Sequence, residues 1–407
     1  MTLQPEALHT DEYRAHPEPV WARLRHDHPI FHDTVTDIWW LTRYDDVVAV
    51  FADHETYSAA TYELSTGQVI GPTLISRDDH GHVVRRKIVA PDFVGNRLAT
   101  YREMIEACAS ELIEAFAGDG EVELVRQLTS RLPVDVISAM LGMVGDGDLF
   151  RQWVTDMIRG LAPVDDLRER GLDAHRAFCA HIAPALENVD DPGRHDHIAK
   201  IARAEVDGHR LDRDEITAFC GLLFIAGGET TDKAMSSMWW NLLTRPALYA
   251  EVLADPGLWD NAFSETMRRT PPVISEDRFT TRPVEWHGVE IPEGARVRVC
   301  MAAAHLDESV FADPLEFDLH RRDLHVGKEL RSGGSTDAGR SGHLGFGLGK
   351  HFCIGYELAR TEAVIGSKLL VDRCADIAIA PGTEPAPVIQ GNAFQAVEEL
   401  PLVFRPA

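Results

Sequence analysis

The chain has 407 residues, 44% of them hydrophobic, with a formal charge of −25 from 65 acidic against 40 basic side chains. That is enough apolar material for a substantial core, and the acidic balance argues against non-specific nucleic-acid binding, which basic patches drive. No run of eighteen apolar residues occurs and the start, MTLQPEALHTDEYRAHPEP, lacks signal-peptide character, so the chain reads as cytoplasmic with no membrane anchor.

In chain order, IWWLT (Ile38 to Thr42) has the character of a strand, and YDDVVAVF just after it has helical spacing. In RDDHGHVVRRKIVAPDF, His82 and Arg86 stand four residues apart, which places both on one helical face. Alone, that pair reads equally as a solvated basic face, and His80 reads as a surface residue. Helical patterns then dominate from about residue 100 to about 270. REMIEACASELIEAFAG ends on a glycine stop, and ITAFCGLLFIAGGETTDKAMSSMWWNLL is a long helix with Asp214 or Thr217 available as its cap. Within it, Gly227 and Gly228 cost roughly 1 kcal/mol each relative to alanine. Two arrangements would offset that cost. One is a flat surface where a ligand nears the backbone, with a threonine hydroxyl bonded back one turn; the other is a close helix crossing.

After Pro271–Pro272 the pattern changes. RFTTRPVEWHGVEIPEGARVRVCMAAA alternates and turns often, which predicts short strands and hairpins. KELRSGGSTDAGRSG, from Lys328 to Gly342, reads as a mobile surface loop. A last helix, YELARTEAVIGSKLLVDRC, and a terminal strand pair close the chain. No internal repeat or long linker divides it. The expected fold is mainly α with a minor β-sheet, in a single domain over 1–407.

Six cysteines are scattered, none in a C-x-x-C pair, so a structural zinc site or a disulfide framework is not expected. Five read as small core residues. Cys353 differs, because it lies in FGLGKHFCIG. Gly347, Gly349 and Gly355 allow a loop to bring backbone N–H groups towards one sulfur, the last helix begins near Gly355, and Lys350 and His351 add positive charge. Such surroundings favour the thiolate, the form that binds metal.

The pattern Phe346-Gly347-x-Gly349-x-His351-x-Cys353-x-Gly355 closely resembles the haem-ligand loop of the cytochrome P-450 family of haem-thiolate monooxygenases. The resemblance implies that fold, with a long central helix over the haem and the cysteine-ligand loop beneath. It also implies haem b as cofactor, with Cys353 as the axial iron ligand, Phe346 packed near it and His351 on a propionate. Four other stretches follow the family's order. Ala226 and Gly227 resemble the oxygen-binding groove of the long helix, with Glu229 and Thr230 as its acid–alcohol pair. Glu265 and Arg268 resemble the structural E-x-x-R ion pair, to which Arg321 of FADPLEFDLHR would add, and Arg278 the propionate-binding arginine downstream. The spacing of Glu265 and Arg268 alone decides nothing, since Glu123/Arg126, Glu293/Arg296 and Glu357/Arg360 share it. By the same resemblance His82 and Arg86 would hold propionates. His305 and Leu306 depart from the family, which often has Asn-Arg there.

Family position points to a substrate pocket at Tyr62 to Ile75, Leu222, Leu223, Ala226, Val273, Ile274 and Phe394, though any of these could be core. Their character suggests a small hydrophobic substrate with a few polar handles. The implied function is insertion of one oxygen atom of O2, by hydroxylation or epoxidation, in secondary metabolism. Ferredoxin and ferredoxin reductase would be the electron donors, docking on a basic face to which Arg85, Lys87 and Lys350 could belong. A peroxide-dependent or rearranging enzyme of the same fold, and a non-catalytic haem sensor, are the alternative readings.

Overall fold

Helix accounts for 54% of the described residues and strand for 14% in the computed structural model, so the fold is mainly α with minor β structure, as expected. Residues 3–322, 324, 342–390 and 393–407 are described. The loop expected at 328–342 lies outside them, save for Gly342. Among the described residues no helix is long and apolar enough to cross a membrane.

The chain divides into two compact units, one comprising Met1–Thr61, Lys233–Cys353 and Gly382–Leu400, the other Tyr62–Asp232, Ile354–Pro381 and Pro401–Ala407. The first unit is organised on a five-stranded sheet in the order Ile30–Asp33, Ile38–Leu41, Arg296–Cys300, Ser275–Thr280 and Tyr57–Ser58. IWWLT supplies the second of these strands and pairs in parallel with Arg296–Cys300, Trp40 opposite Arg298. The other pairings in this sheet are antiparallel. YDDVVAVF forms the helix Tyr44–Ala52, whose Tyr44, Val47 and Val50 pack in one cluster with Val297 and Val299 of the sheet. Leu344 and Leu348, two apolar residues of the glycine-rich segment, are buried in the same cluster at 0% and 1% exposure. Burying each such side chain is worth about 1.5–3 kcal/mol. The sheet thereby anchors the loop that carries Cys353.

The second unit is built from helices, among them His80–Val89, Arg102–Glu114, Leu132–Met140, Gly147–Arg159, Asp165–Ile182 and Tyr356–Arg373. Its three-stranded sheet runs Glu121–Glu123, Pro401–Pro406, Cys374–Ile379, so the terminal strand lies between two partners rather than in a simple pair. Arg102–Glu114 stops before the expected glycine, at the cap residue Ala115.

The long helix spans Arg213–Leu243, 31 residues, and belongs to both units. Neither Asp214 nor Thr217 caps it. Asp212 does, through a reciprocal arrangement in which its Oδ1 accepts from Glu215 N at 2.8 Å and its own N donates to Glu215 Oε2 at 3.1 Å. Thr217 instead donates its hydroxyl to Arg213 O at 2.8 Å.

Candidate functional site

The loop around Cys353 is shaped by glycine where the backbone requires it. Gly347 and Gly349 adopt φ of 68° and 65°, a region that L side chains rarely occupy. Gly347 N donates to Leu344 O at 2.8 Å, and Phe352 N donates to Gly349 O at 3.1 Å across the short turn Gly349–His351. Cys353 N donates to Phe346 O at 2.9 Å, closing the loop on itself. Gly345 is forced by proximity, since a Cβ there would stand 2.6 Å from Met267 O. Gly355 has φ −88° at the start of the helix Tyr356–Arg373, a conformation that does not demand glycine. The Phe346 ring packs between Phe263 and Phe352, at 6.2 and 6.4 Å between centroids.

Cys353 is exposed, and the other five cysteines are buried or half-buried. Burial pushes the thiols of Cys108 and Cys374 up to about 11 and that of Cys300 up to about 12, and raises those of Cys179 and Cys220 as well. Those five are held as neutral thiols, as befits core residues. Among the described residues no group of three or more His, Cys, Asp or Glu is placed to hold a metal ion. One accessible sulfur on a fixed loop is a donor set that suits a metal bringing its remaining ligands with it, so the residues present fit a haem.

Behind the loop, the carboxylate of Glu265 and the guanidinium of Arg268 are both fully buried. Arg268 uses all five of its N–H donors. Nε and one Nη2 hydrogen go to the two oxygens of Glu265 at 2.8 and 2.6 Å, and the rest go to the carbonyls of His305, Pro314 and Glu316 at 2.7–3.0 Å. Arg321 Nε adds a bond to Glu265 Oε1 at 3.0 Å and ties the segment Ala312–Glu316 through its other nitrogens. Arg278 is buried on the strand Ser275–Thr280, its guanidinium 5.3 Å from the Phe51 ring centre and 3.5 Å from Glu276. His351 is half-buried in the short turn before Cys353.

The pocket candidates of this unit separate. Val273 and Phe394 meet in an isolated antiparallel bridge, and both are half-buried. Ile274 is fully buried in a cluster with Trp40, Cys300 and Ile389, so it is a core residue and not a pocket wall.

In the second unit, His82 is buried and Arg86 half-buried on the helix His80–Val89, which Asp79 caps by accepting from His82 N at 3.2 Å. Arg85, counted from sequence among docking cations, is instead ion-paired with Glu215 and only 18% exposed. On the long helix, Thr230 Oγ1 donates to Ala226 O at 2.7 Å, one turn back, and Ala226 is exposed. Glu229 and Thr230 are half-buried. The two glycines answer to packing. A Cβ at Gly227 would lie 3.1 Å from Ile137, and one at Gly228 would lie 3.1 Å from Val134 and 3.2 Å from Val154. Gly227 was read as part of the cofactor groove or of a close helix crossing, and its missing side chain makes room for Ile137 of the helix Leu132–Met140.

A cavity of about 370 Å³ in this unit is walled by Ile70, Leu74, Val89, His175 and Phe219. The expected stretch Tyr62 to Ile75 contributes to it. On the long helix its wall is Asp214, Glu215, Thr217, Ala218 and Phe219, the last of them a turn before Leu222 and Leu223, which are 7% exposed. His175 was not legible as a wall residue, because a single histidine in a helical run carries no signal of its own. Burial lowers its pKa.

A family model described as cytochrome P-450 matches residues 257–395. The chain is 32% identical over 369 residues to cyclomarin C epoxidase CymV of Salinispora arenicola, covering 88% of this chain and 89% of that one. It is 31% identical over 412 residues to the cytochrome P-450 monooxygenase PikC of Streptomyces venezuelae, covering 97% and 92%. Among solved structures, cytochrome P-450 CYP109Q5 from Chondromyces apiculatus superposes with a TM-score of 0.85 at 28% identity, covering 98% of this chain and 97% of that one.

Proposed function

The chain belongs to the cytochrome P-450 family and is a monooxygenase of that family, and from that premise we propose that it inserts one oxygen atom of O2 into a small, largely hydrophobic organic molecule, by hydroxylation or epoxidation. The epoxidase and monooxygenase names of its relatives support that pair of reactions. The electrons come from a separate ferredoxin and ferredoxin reductase in the cytoplasm, and the two units act together as one catalytic domain.

Bound haem b would supply the iron at which dioxygen is activated. The chain's own residues do the rest. Cys353 would hold the iron through its thiolate, from a loop whose turn is fixed by Gly347 and Gly349. His82, Arg86, Arg278 and His351 would hold the propionates, whose negative charge suits Arg and His. Phe346 would pack near the sulfur. Glu265 and Arg268 lock the segment behind the loop.

Proton delivery falls to Glu229 and Thr230. The observation that carries this reading is the 2.7 Å bond from Thr230 Oγ1 to Ala226 O. It holds the hydroxyl hydrogen on a defined acceptor and leaves the oxygen's lone pairs open to accept a proton donor. The carboxyl of Glu229, next along the helix, takes up protons for that relay. Val273 and Phe394 contribute apolar surface to the substrate.

Thr230→Ala tests the relay. With surrogate ferredoxin and reductase and a substrate chosen by its spin-state change, the variant is expected to consume electrons at an undiminished rate. Product per electron pair should fall by about tenfold or more, since a positioned proton donor is worth at least that much. Unchanged coupling would remove Thr230 from the relay.

A further inference from the structure

His305 stands where relatives often have asparagine, and the structure gives it a place that its sequence position did not reveal. It is fully buried. Its Nε2 accepts a hydrogen bond from Leu344 N at 2.6 Å. An accepting Nε2 puts the ring proton of a neutral imidazole on Nδ1. Among the described residues Nδ1 has no hydrogen-bond partner, so the bond that Nε2 accepts is the one that holds the side chain there. The groups facing the ring are His343 and Phe311, both edge-on at 6.4 and 6.3 Å, and the guanidinium of Arg268. Burial first, and then the neighbouring His343 and Arg268, lower its pKa well below 6.5, which keeps the imidazole in the accepting form.

The bond has a continuous course in both directions. On one side, the His305 carbonyl accepts from Arg268 Nη1 at 3.0 Å, so the residue is bolted to the buried ion pair. On the other side, Leu344 O accepts from Gly347 N, and Phe346 O accepts from Cys353 N. Two residues before Leu344, the Tyr44 hydroxyl clamps Gly342 twice, donating to its carbonyl at 2.8 Å and accepting from its N–H at 3.2 Å. The Tyr44 ring lies edge-on to Phe311, the same ring that faces His305.

We propose that His305 and Tyr44 are positioning residues that register the segment Gly342–Leu344, and through it the Cys353 loop, on the rigid frame of the Glu265–Arg268 pair. Neither is assigned a contact with cofactor or substrate. Their role is to keep the Cys353 sulfur where it remains an ionised ligand. The inference rests on the assignment of Cys353 as that ligand.

The test uses the whole protein, reconstituted with haem, reduced and exposed to carbon monoxide. The wild type reports the ligand itself, because a bound thiolate moves the Soret band far to the red. The ratio of that band to the unshifted band then reports registration. His305→Leu removes the acceptor, and the ratio is expected to fall by about tenfold, the effect of losing a hydrogen bond with its buried N–H left unpaired. His305→Gln carries an amide oxygen at a comparable reach and is expected to restore the ratio to within about twofold of wild type. Tyr44→Phe keeps the ring and loses only the hydroxyl, and a smaller fall in the same direction is expected; it decides the matter where His305→Leu fails to accumulate. An unchanged ratio in His305→Leu, equal losses in the Leu and Gln variants, or no fall in Tyr44→Phe would each overturn the proposal. A wild type with no red-shifted band would instead remove Cys353 as the ligand, and the inference with it.

Discussion

Replacing Glu265 with glutamine changes little volume but removes the counter-charge of two buried guanidinium groups. Oε1 of Glu265 accepts from Arg268 Nη2, Arg321 Nε and Asp318 N at 2.6 to 3.0 Å, and Oε2 accepts from Arg268 Nε at 2.8 Å. An amide has one acceptor oxygen, so whichever way it turns, its NH2 meets at least one N–H donor. Arg268 and Arg321 are 0% and 6% exposed, so bulk solvent is kept from replacing the lost carboxylate. Breaking such a pair from one side costs about 3–5 kcal/mol, against a total stability of about 5–15 kcal/mol for a typical domain. Urea denaturation followed by tryptophan fluorescence measures it, with Trp259 buried on the same helix as a local probe. A loss below about 1 kcal/mol, the range of exposed pairs, would refute the reasoning. Arg321→Ala leaves the Glu265–Arg268 pair intact and should cost clearly less.

Three further outcomes are expected. Gly345→Ala puts a Cβ 2.6 Å from Met267 O, a backbone atom that cannot turn aside, so the variant should lose about 1–3 kcal/mol of stability in thermal unfolding and retain haem poorly; wild-type retention would show that the helix and loop can part freely. Glu362 is buried on the helix Tyr356–Arg373, and desolvation raises its pKa well above 4.5. The native state therefore keeps a proton that the unfolded chain gives up, and this group costs stability as pH rises above about 4.5, by up to about 1.4 kcal/mol per pH unit. Glu362→Gln should accordingly be more stable than wild type at neutral pH and equal to it near pH 4; a constant difference across denaturation curves at several pH values would contradict the assignment. His305, with its lowered pKa, has the opposite sign: it costs stability as pH falls below about 6.5, and His305→Gln should flatten that acid limb of the stability curve.

What sequence conveyed, and what it withheld, follows the range of the forces involved. The helix Tyr44–Ala52 and the strands after Pro272 were legible because their periodicity is local. The parallel pairing of Ile38–Leu41 with Arg296–Cys300 was not, since partners more than 250 residues apart leave no local trace. Glu265-x-x-Arg268 shares its spacing with Glu357-x-x-Arg360, and both form ion pairs. Burial alone separates them, with the first pair sealed and the second 26–39% exposed. The same limit affected Gly227 and Ile274, where a ligand-facing and a core-packing role read alike until Ile137 and Trp40 are seen beside them. Arg85 looked available for docking because its partner Glu215 lies 130 residues away. The loop around Cys353 was the most legible part of all, because its glycines and its sulfur serve one short turn.

The assignment of Cys353 as the haem ligand is tested most directly by Cys353→Ser in the reduced, carbon-monoxide-bound protein. The wild type should show the strongly red-shifted Soret band of a thiolate complex, and the serine variant should lose that band altogether. A red-shifted band that survives in the variant, or a wild type without one, would contradict the assignment.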